Sequence, residues 1–260
     1  IGLTAIMFNA IQNSVEINNL DYFTKKYGDE DGQKIFDAIN KTLFVDNRYE
    51  YILTGLFNTV VIAFFAVILG TIIGVIISVI RNNYEVNGKF KFLNYLSNLY
   101  VTIIRGTPVI LQLMIIYYVV FKSVNINIII VGILAFGINS GAYVSEIIRA
   151  VINSISRGQM EAGFALGLKY SEVMRYIILP QAIRNILPAL GNEFITLLKE
   201  TSVGAYIGIA ELTKASDIIA SRTYDYFFPL ILIALIYLLM TYALSKLVNK
   251  LERRLNNVRG

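Results

Sequence analysis

The chain has no cysteine, histidine or tryptophan, only four prolines in 260 residues, and charge at just 16% of its positions. Without cysteine there are no disulfides and no thiolate metal sites. Without histidine there is no zinc-protease helix, no Ser-His triad and no histidine-ligated haem. A P-loop is excluded as well, because the one Gly-Lys pair, Gly88-Lys89, runs into Phe90 where a hydroxyl residue is required. Any ATP-driven work therefore belongs to a partner. What remains is grease: 56% of the residues are hydrophobic, whereas a soluble domain carries about 25% charged residues. The composition is that of an all-α integral membrane protein.

Residues 51–80 contain no charge, and roughly 20 apolar residues suffice to cross a bilayer core as a helix, so this is a first span with length to spare. Gly70 and Gly74 lie in a G-x-x-x-G spacing that admits a close helix neighbour, although glycine tolerated in lipid explains it equally. A second apolar region, 92–121, is broken by "RGTP" at 105–108. This reads as an interfacial lead-in up to about residue 105, with the crossing after it. Further spans are expected within 124–148, 183–203 and 226–245, making about five and placing the two ends on opposite sides. The opening "IGLTAIMF" has no basic region ahead of it, so it reads as the end of an apolar helix or a short apolar start to an outer segment.

Charge orients the set, since Lys and Arg favour the cytoplasmic side. The loop 81–92 carries Arg81, Lys89 and Lys91 against Glu85, net +2. The tail from 246 carries five Lys/Arg against Glu252, net +4. Residues 1–50 reverse the sign, with five Lys/Arg against eight Asp/Glu. The expectation is an N-terminal segment (1–49) outside, a transmembrane domain over 50–255 and a cytoplasmic tail at 256–260. The segment 149–182 then faces the cytoplasm, and 204–225 lies outside.

The cytoplasmic segment contains "EAGFALGLKYSEVMRYIILPQA" (161–182), a polar, broken stretch between hydrophobic runs. It reads as two short helices joined at a bend, the second introduced by Tyr170-Ser171 with Glu172 in its first turn, together a knob with Gly163 and Gly167 on a docking face. The order Glu161, Ala162, a small residue at 163, Gly167, Leu179 and Pro180 resembles the EAA loop of permease subunits of ATP-binding-cassette importers. Gly163 stands where alanine is usual, a change that loosens a helix by roughly 1 kcal/mol. "RGTPVILQL" (105–113), "GAYVSEIIRA" (141–150) and "ASRTYDYF" (220–227) are similar to the polar amino-acid uptake branch. The resemblance covers about residues 50–255 and leaves 1–49 unexplained.

That resemblance implies the type I importer permease fold and a path for polar amino acids such as arginine, lysine, glutamine or cystine. It also implies partners: an ATPase that binds ATP and magnesium and grips the loop, a second permease subunit (identical or related), and an outer solute-binding protein. No cofactor is expected in this chain, and no nucleic acid.

Ionisable groups within spans are expensive and therefore candidates for function. Asn192, Glu193, Thr196, Lys199 and Glu200 share one side of the fourth span, and the third adds Asn139, Tyr143 and Glu146 at i, i+4 and i+7. A zwitterionic solute needs such countercharges, and their excess of acid favours a cationic or neutral one. Competing explanations are a Lys199–Glu200 pair and a Glu146–Arg149 pair at i+3. Arg105, Thr107 and Gln112 form the similar "RGTP…Q" element, equally an interfacial arginine followed by a proline-started helix. A channel or receptor that docks a cytoplasmic protein would share the composition but gives no reason for the EAA spacing.

Overall fold

The computed structural model describes residues 24–25 and 27–257. The start of the N-terminal segment and the last residues of the tail lie outside that range. Among the described residues every regular element is helical. A short helix α1 (Asp29–Ile39) leads through a tight turn into α2 (Tyr49–Asn87), followed by α3 (Lys91–Gly106), α4 (Val109–Ile115, continued to Val120 by a π-helical turn) and α5 (Ile128–Ser154). The knob comprises α6 (Arg157–Ala165) and α7 (Tyr170–Val173). Then come α8 (Leu179–Glu200), α9 (Leu212–Thr223) and α10 (Phe227–Asn257).

The central contact is α2 against α5. A Cβ placed on Gly70 would lie 2.7 Å from Cβ of Ser140, and one on Gly74 would lie 2.6 Å from Cγ1 of Val144 and 2.9 Å from the backbone nitrogen of Ser145. The G-x-x-x-G spacing therefore has a partner. Membrane helices gain little hydrophobic drive from meeting one another, and small residues let backbones approach closely enough for dispersion to act. Further along, Ser78 donates to the carbonyl of Ser145 at 3.2 Å. Contact numbers rise together on both helices, so α2 and α5 run parallel.

Two parallel neighbours require a return crossing between them, and residues 88–127 make it differently from the lead-in and crossing expected. The helices α3 and α4 meet at a bend of 110°. The part after Pro108 runs only from Val109 to Val120, about 18 Å at 1.5 Å per residue, against a core of about 30 Å. The return is thus shared by a bent pair. Among the described residues three helices are long and apolar enough to span, namely α2, α5 and α10, and the bent pair makes up to four. The count of about five is not met by that measure. The fifth candidate, α8, has the length at 22 residues, but its charged stripe removes it, and that stripe is tolerated because α8 packs on α10, α5 and α2.

The described part of the N-terminal segment folds onto the end of the bundle where α2 begins. Leu43 joins Ile52, Leu212, Ile219 and Ile233 in one apolar cluster. Arg48, only 6% exposed, donates to the carbonyl of Lys41 at 2.6 Å and to Asp46 at 3.2 Å, closing the turn. At that same end Asn58 donates to the carbonyl of Ala210, and buried Glu211 caps α9 through the backbone nitrogens of Thr213 and Lys214 while accepting from Tyr237. The knob lies at the opposite end, between the close of α5 and the start of α8, as the loop charges require.

Candidate functional site: coupling knob and polar stripe

Each step of the knob has a local cause. Helix α6 ends at Ala165 with Leu166 as its cap, and Gly167 turns the chain at φ +81°, a left-handed conformation that costs a non-glycine residue about 1 kcal/mol or more. The backbone nitrogen of Lys169 then donates to the Glu172 carboxylate at 2.7 Å, which starts α7. The chain passes through a π-helical turn, Met174–Ile178, into α8, where Pro180 occupies the first turn and needs no donor.

The knob's glycines do not form the docking face that spacing suggested. Gly163 is buried inside the knob, and a Cβ there would meet Cγ2 of Val173 at 2.7 Å and Cδ1 of Ile177 at 3.1 Å. Gly167 has open space around it and serves the turn. Gly163 thus lets α6 lie tightly on α7. Gly163→Ala is expected to lower the melting temperature despite its better helix propensity, because the overlap costs about 1–3 kcal/mol. The second change Val173→Ala should recover most of that loss in a thermal melt.

The outward surface of α6 carries Glu161, Ala162, Phe164, Ala165 and Leu166. Leu166 is 79% exposed and Phe164 46% exposed, two large apolar side chains displayed beside exposed Ala162 and Ala165. Sequence reasoning passed over both, yet two large apolar residues in a polar loop were the available signal.

Within the bundle, Glu146 has more partners than expected. It pairs with Arg81 of α2 at 2.5 Å, Arg149 at 2.8 Å and Arg105 of α3 at 3.6 Å. The i+3 pair is real but is one of three. Three helices are tied at one carboxylate, so Glu146 is no free countercharge awaiting an ammonium group. The Arg105 guanidinium also lies 5.5 Å from the centre of the half-exposed Tyr143 ring.

Gln112 explains the "RGTP…Q" element. The helix break leaves carbonyls of α3 without intrahelical donors. The Gln112 amide reaches back to the carbonyls of Ile104 at 2.8 Å and Thr107 at 3.1 Å, and to the Thr107 hydroxyl at 2.8 Å. Its own carbonyl accepts from buried Asn139 at 2.9 Å, so the bend is fastened to α5. Gln112→Leu should cost about 2–4 kcal/mol by stranding these buried groups, read as a fall in melting temperature that Thr107→Ala does not reproduce.

On α8, Glu193 accepts a 2.7 Å hydrogen bond from Ser140 of α5, beside the Gly70 contact. Thr196 and Glu200 are half-buried on the same side, and Asn192 and Lys199 are exposed. Lys199 lines a cavity of about 580 Å³ with Tyr206 and Tyr237. No ion pair joins Lys199 to Glu200 among the described residues. Of the sequence candidates, Glu193 is bonded to α5, Thr196 and Glu200 are half-buried and Asn192 and Lys199 exposed on α8, Tyr143 and Glu146 belong to the arginine cluster, and Asn139 belongs to the bend.

The structure is thus a helical membrane bundle with a parallel core pair, polar side chains along α8 and a projecting knob. Residues 70–257 match the family model described as binding-protein-dependent transport system inner membrane component, and the chain belongs to that family. Among curated relatives, a putative glutamine transport system permease protein from Rickettsia prowazekii (strain Madrid E) is 38% identical over 207 residues, covering 79% of this chain and 93% of the relative. The arginine transport system permease protein ArtQ of Bacillus subtilis (strain 168) is 37% identical over 209 residues, covering 80% and 93%. Among solved structures, an amino acid ABC transporter crystallised with histidines has a TM-score of 0.74 at 44% identity, covering 79% of this chain and 94% of that one. The methionine transporter MetNI, in an inward-facing conformation, shares the fold with a TM-score of 0.67 at 19% identity, covering 80% and 97%. The chain is thus an amino-acid ABC-importer permease of the type I fold and a multi-pass membrane protein.

Proposed function

We propose that this chain lines the membrane path of an ATP-driven importer of polar amino acids, in a pair with a second permease subunit that is a copy or a related chain. A separate ATPase, which binds ATP and magnesium, grips the knob through Glu161, Ala162, Phe164 and Leu166. Gly163, Gly167, Leu179 and Pro180 give the knob its shape. An outer binding protein delivers the solute at the end where α2 begins, and the knob and C-terminus face the cytoplasm, as the loop charges favour. The observation that carries this reading is the exposed apolar pair on a stiff projection, at the position of the family's coupling loop. The relatives' names, glutamine and arginine transport, support solutes of that polar class.

Along the path, Glu193 and Thr196 are the central candidates, with Asn192, Lys199, Glu200 and Tyr143 flanking them. Glu193 keeps one carboxylate oxygen beyond its bond to Ser140 and can meet an ammonium group. In proteoliposomes holding the permease, ATPase and binding protein, Glu193→Gln should lower uptake of radiolabelled arginine about tenfold or more at limiting solute, the scale of one charged hydrogen bond. Thr196→Val should act in the same direction with a smaller effect. Wild-type flux through both variants, with ATP hydrolysis intact, would remove these residues from the path.

A further inference from the structure

Helix α2 is 39 residues long, about 58 Å, nearly twice the thickness of a bilayer core. Its last turns, from Arg81 to Asn87, follow the uncharged stretch 51–80 and form an overhang at the knob's end. A groove of about 560 Å³ separates this overhang from the knob, walled by Asn82, Glu85 and Val86 on one side and by Met160, Phe164 and Tyr170 on the other. One side-chain hydrogen bond spans it: the Tyr170 hydroxyl donates to Oδ1 of Asn82 at 3.0 Å. Burial raises the Tyr170 hydroxyl above the ordinary phenol range, so it stays protonated and donating. The preceding residue on α2, Arg81, is the one that grips Glu146, and Glu146 also holds Arg105 of α3 and Arg149 of α5.

We propose that Tyr170 is a positioning residue that ties the knob to the overhang of α2, so that displacement of the knob reaches α2 and α3 as well as α5 and α8, the two helices that the chain joins to it. The covalent routes, through residues 155–156 on one side and through Leu179 and Pro180 on the other, move α5 and α8 but not α2 or α3. The Tyr170–Asn82 bond, seated next to the Arg81–Glu146 cluster, moves the parallel core pair with it. This rests on the importer reading above. It deepens that reading by naming which of the chain's own contacts carry the motion.

The test uses the full complex of permease and ATPase, and the lack of cysteine in this chain allows spin labels at Val86→Cys and Ala165→Cys once any cysteine of the ATPase is replaced by serine. In the wild type the label-to-label distance is expected to be narrow and to stay so when ATP and vanadate are added. In Tyr170→Phe the distribution should broaden, while co-purification with the ATPase persists. In proteoliposomes supplied with binding protein, Tyr170→Phe and Asn82→Leu should each lower arginine or glutamine taken up per ATP about fivefold, equivalent to about 1 kcal/mol at 1.4 kcal/mol per tenfold. The double variant should be no worse than either single one, and Asn82→Asp, which keeps the acceptor, should retain the wild-type ratio. An unchanged distance distribution in Tyr170→Phe overturns the proposal. So does a loss of uptake that merely follows loss of ATPase association, the mark of a structural role. Failure of the wild type to transport either amino acid would count against the importer reading, and the label distances would still decide the tie.

Discussion

Gly74→Val is expected to leave little folded permease in the membrane. The first added carbon already lies 2.6 Å from Cγ1 of Val144 and 2.9 Å from the backbone nitrogen of Ser145. Val144 could rotate only against stiff β-branched preferences, and the Ser145 backbone cannot yield without moving α5. Separating α2 from α5 costs the dispersion that holds two apolar helices together in lipid, together with the Arg81–Glu146 and Ser78–Ser145 contacts further along the same seam. Overpacking of about 3 kcal/mol corresponds to a drop of roughly 6–12 °C in melting temperature for a chain of this size. Fluorescence-detected size exclusion and a thermal melt in detergent measure it. Gly106→Ala is the control, since nothing lies within 4 Å of a Cβ there, and it should run with the wild type. A monodisperse Gly74→Val protein of wild-type stability would mean that the seam is not the core of the fold.

Phe164→Asp with Leu166→Asp is expected to abolish association with the ATPase while leaving the permease folded. Leu166 is 79% exposed and Phe164 46%, so their loss removes little internal packing. At an interface, by contrast, large apolar anchors often contribute about 2 kcal/mol or more each, and a buried unpaired carboxylate adds a further penalty. About 4 kcal/mol for the pair is close to a thousandfold in affinity, enough to empty a pull-down. Gly167→Asp should also disrupt association, for a different reason: its φ of +81° strains any replacement and redirects the knob. If the double aspartate variant still co-purified with the ATPase and supported uptake, the partner would have to dock elsewhere on the chain.

These outcomes separate two kinds of information that the knob carries. Its place in the chain, its side of the bundle and its helix–turn–helix form follow from local residues: a polar stretch between spans, Glu172 at the start of a helix, Pro180 in the first turn of the next. The direction in which Gly163 faces does not. A glycine looks the same from the sequence whether it makes room for a partner or for Val173 ten residues away, and only packing distinguishes the two. The same holds for Glu146, whose i+3 neighbour Arg149 was legible while Arg81, 65 positions distant, was not.

By itself the sequence determined the membrane class, the order of apolar segments and the place of the broken polar stretch between them, because hydropathy and turn residues act over a few positions and need no neighbour. Tertiary structure decided the rest. It set the parallel seam of α2 and α5, the bend fastened by Gln112 to Asn139, the arginine cluster on Glu146 and the Tyr170–Asn82 tie. Each of these depends on which helix stands beside which, and side chains 27 to 88 residues apart meet only when the bundle has closed.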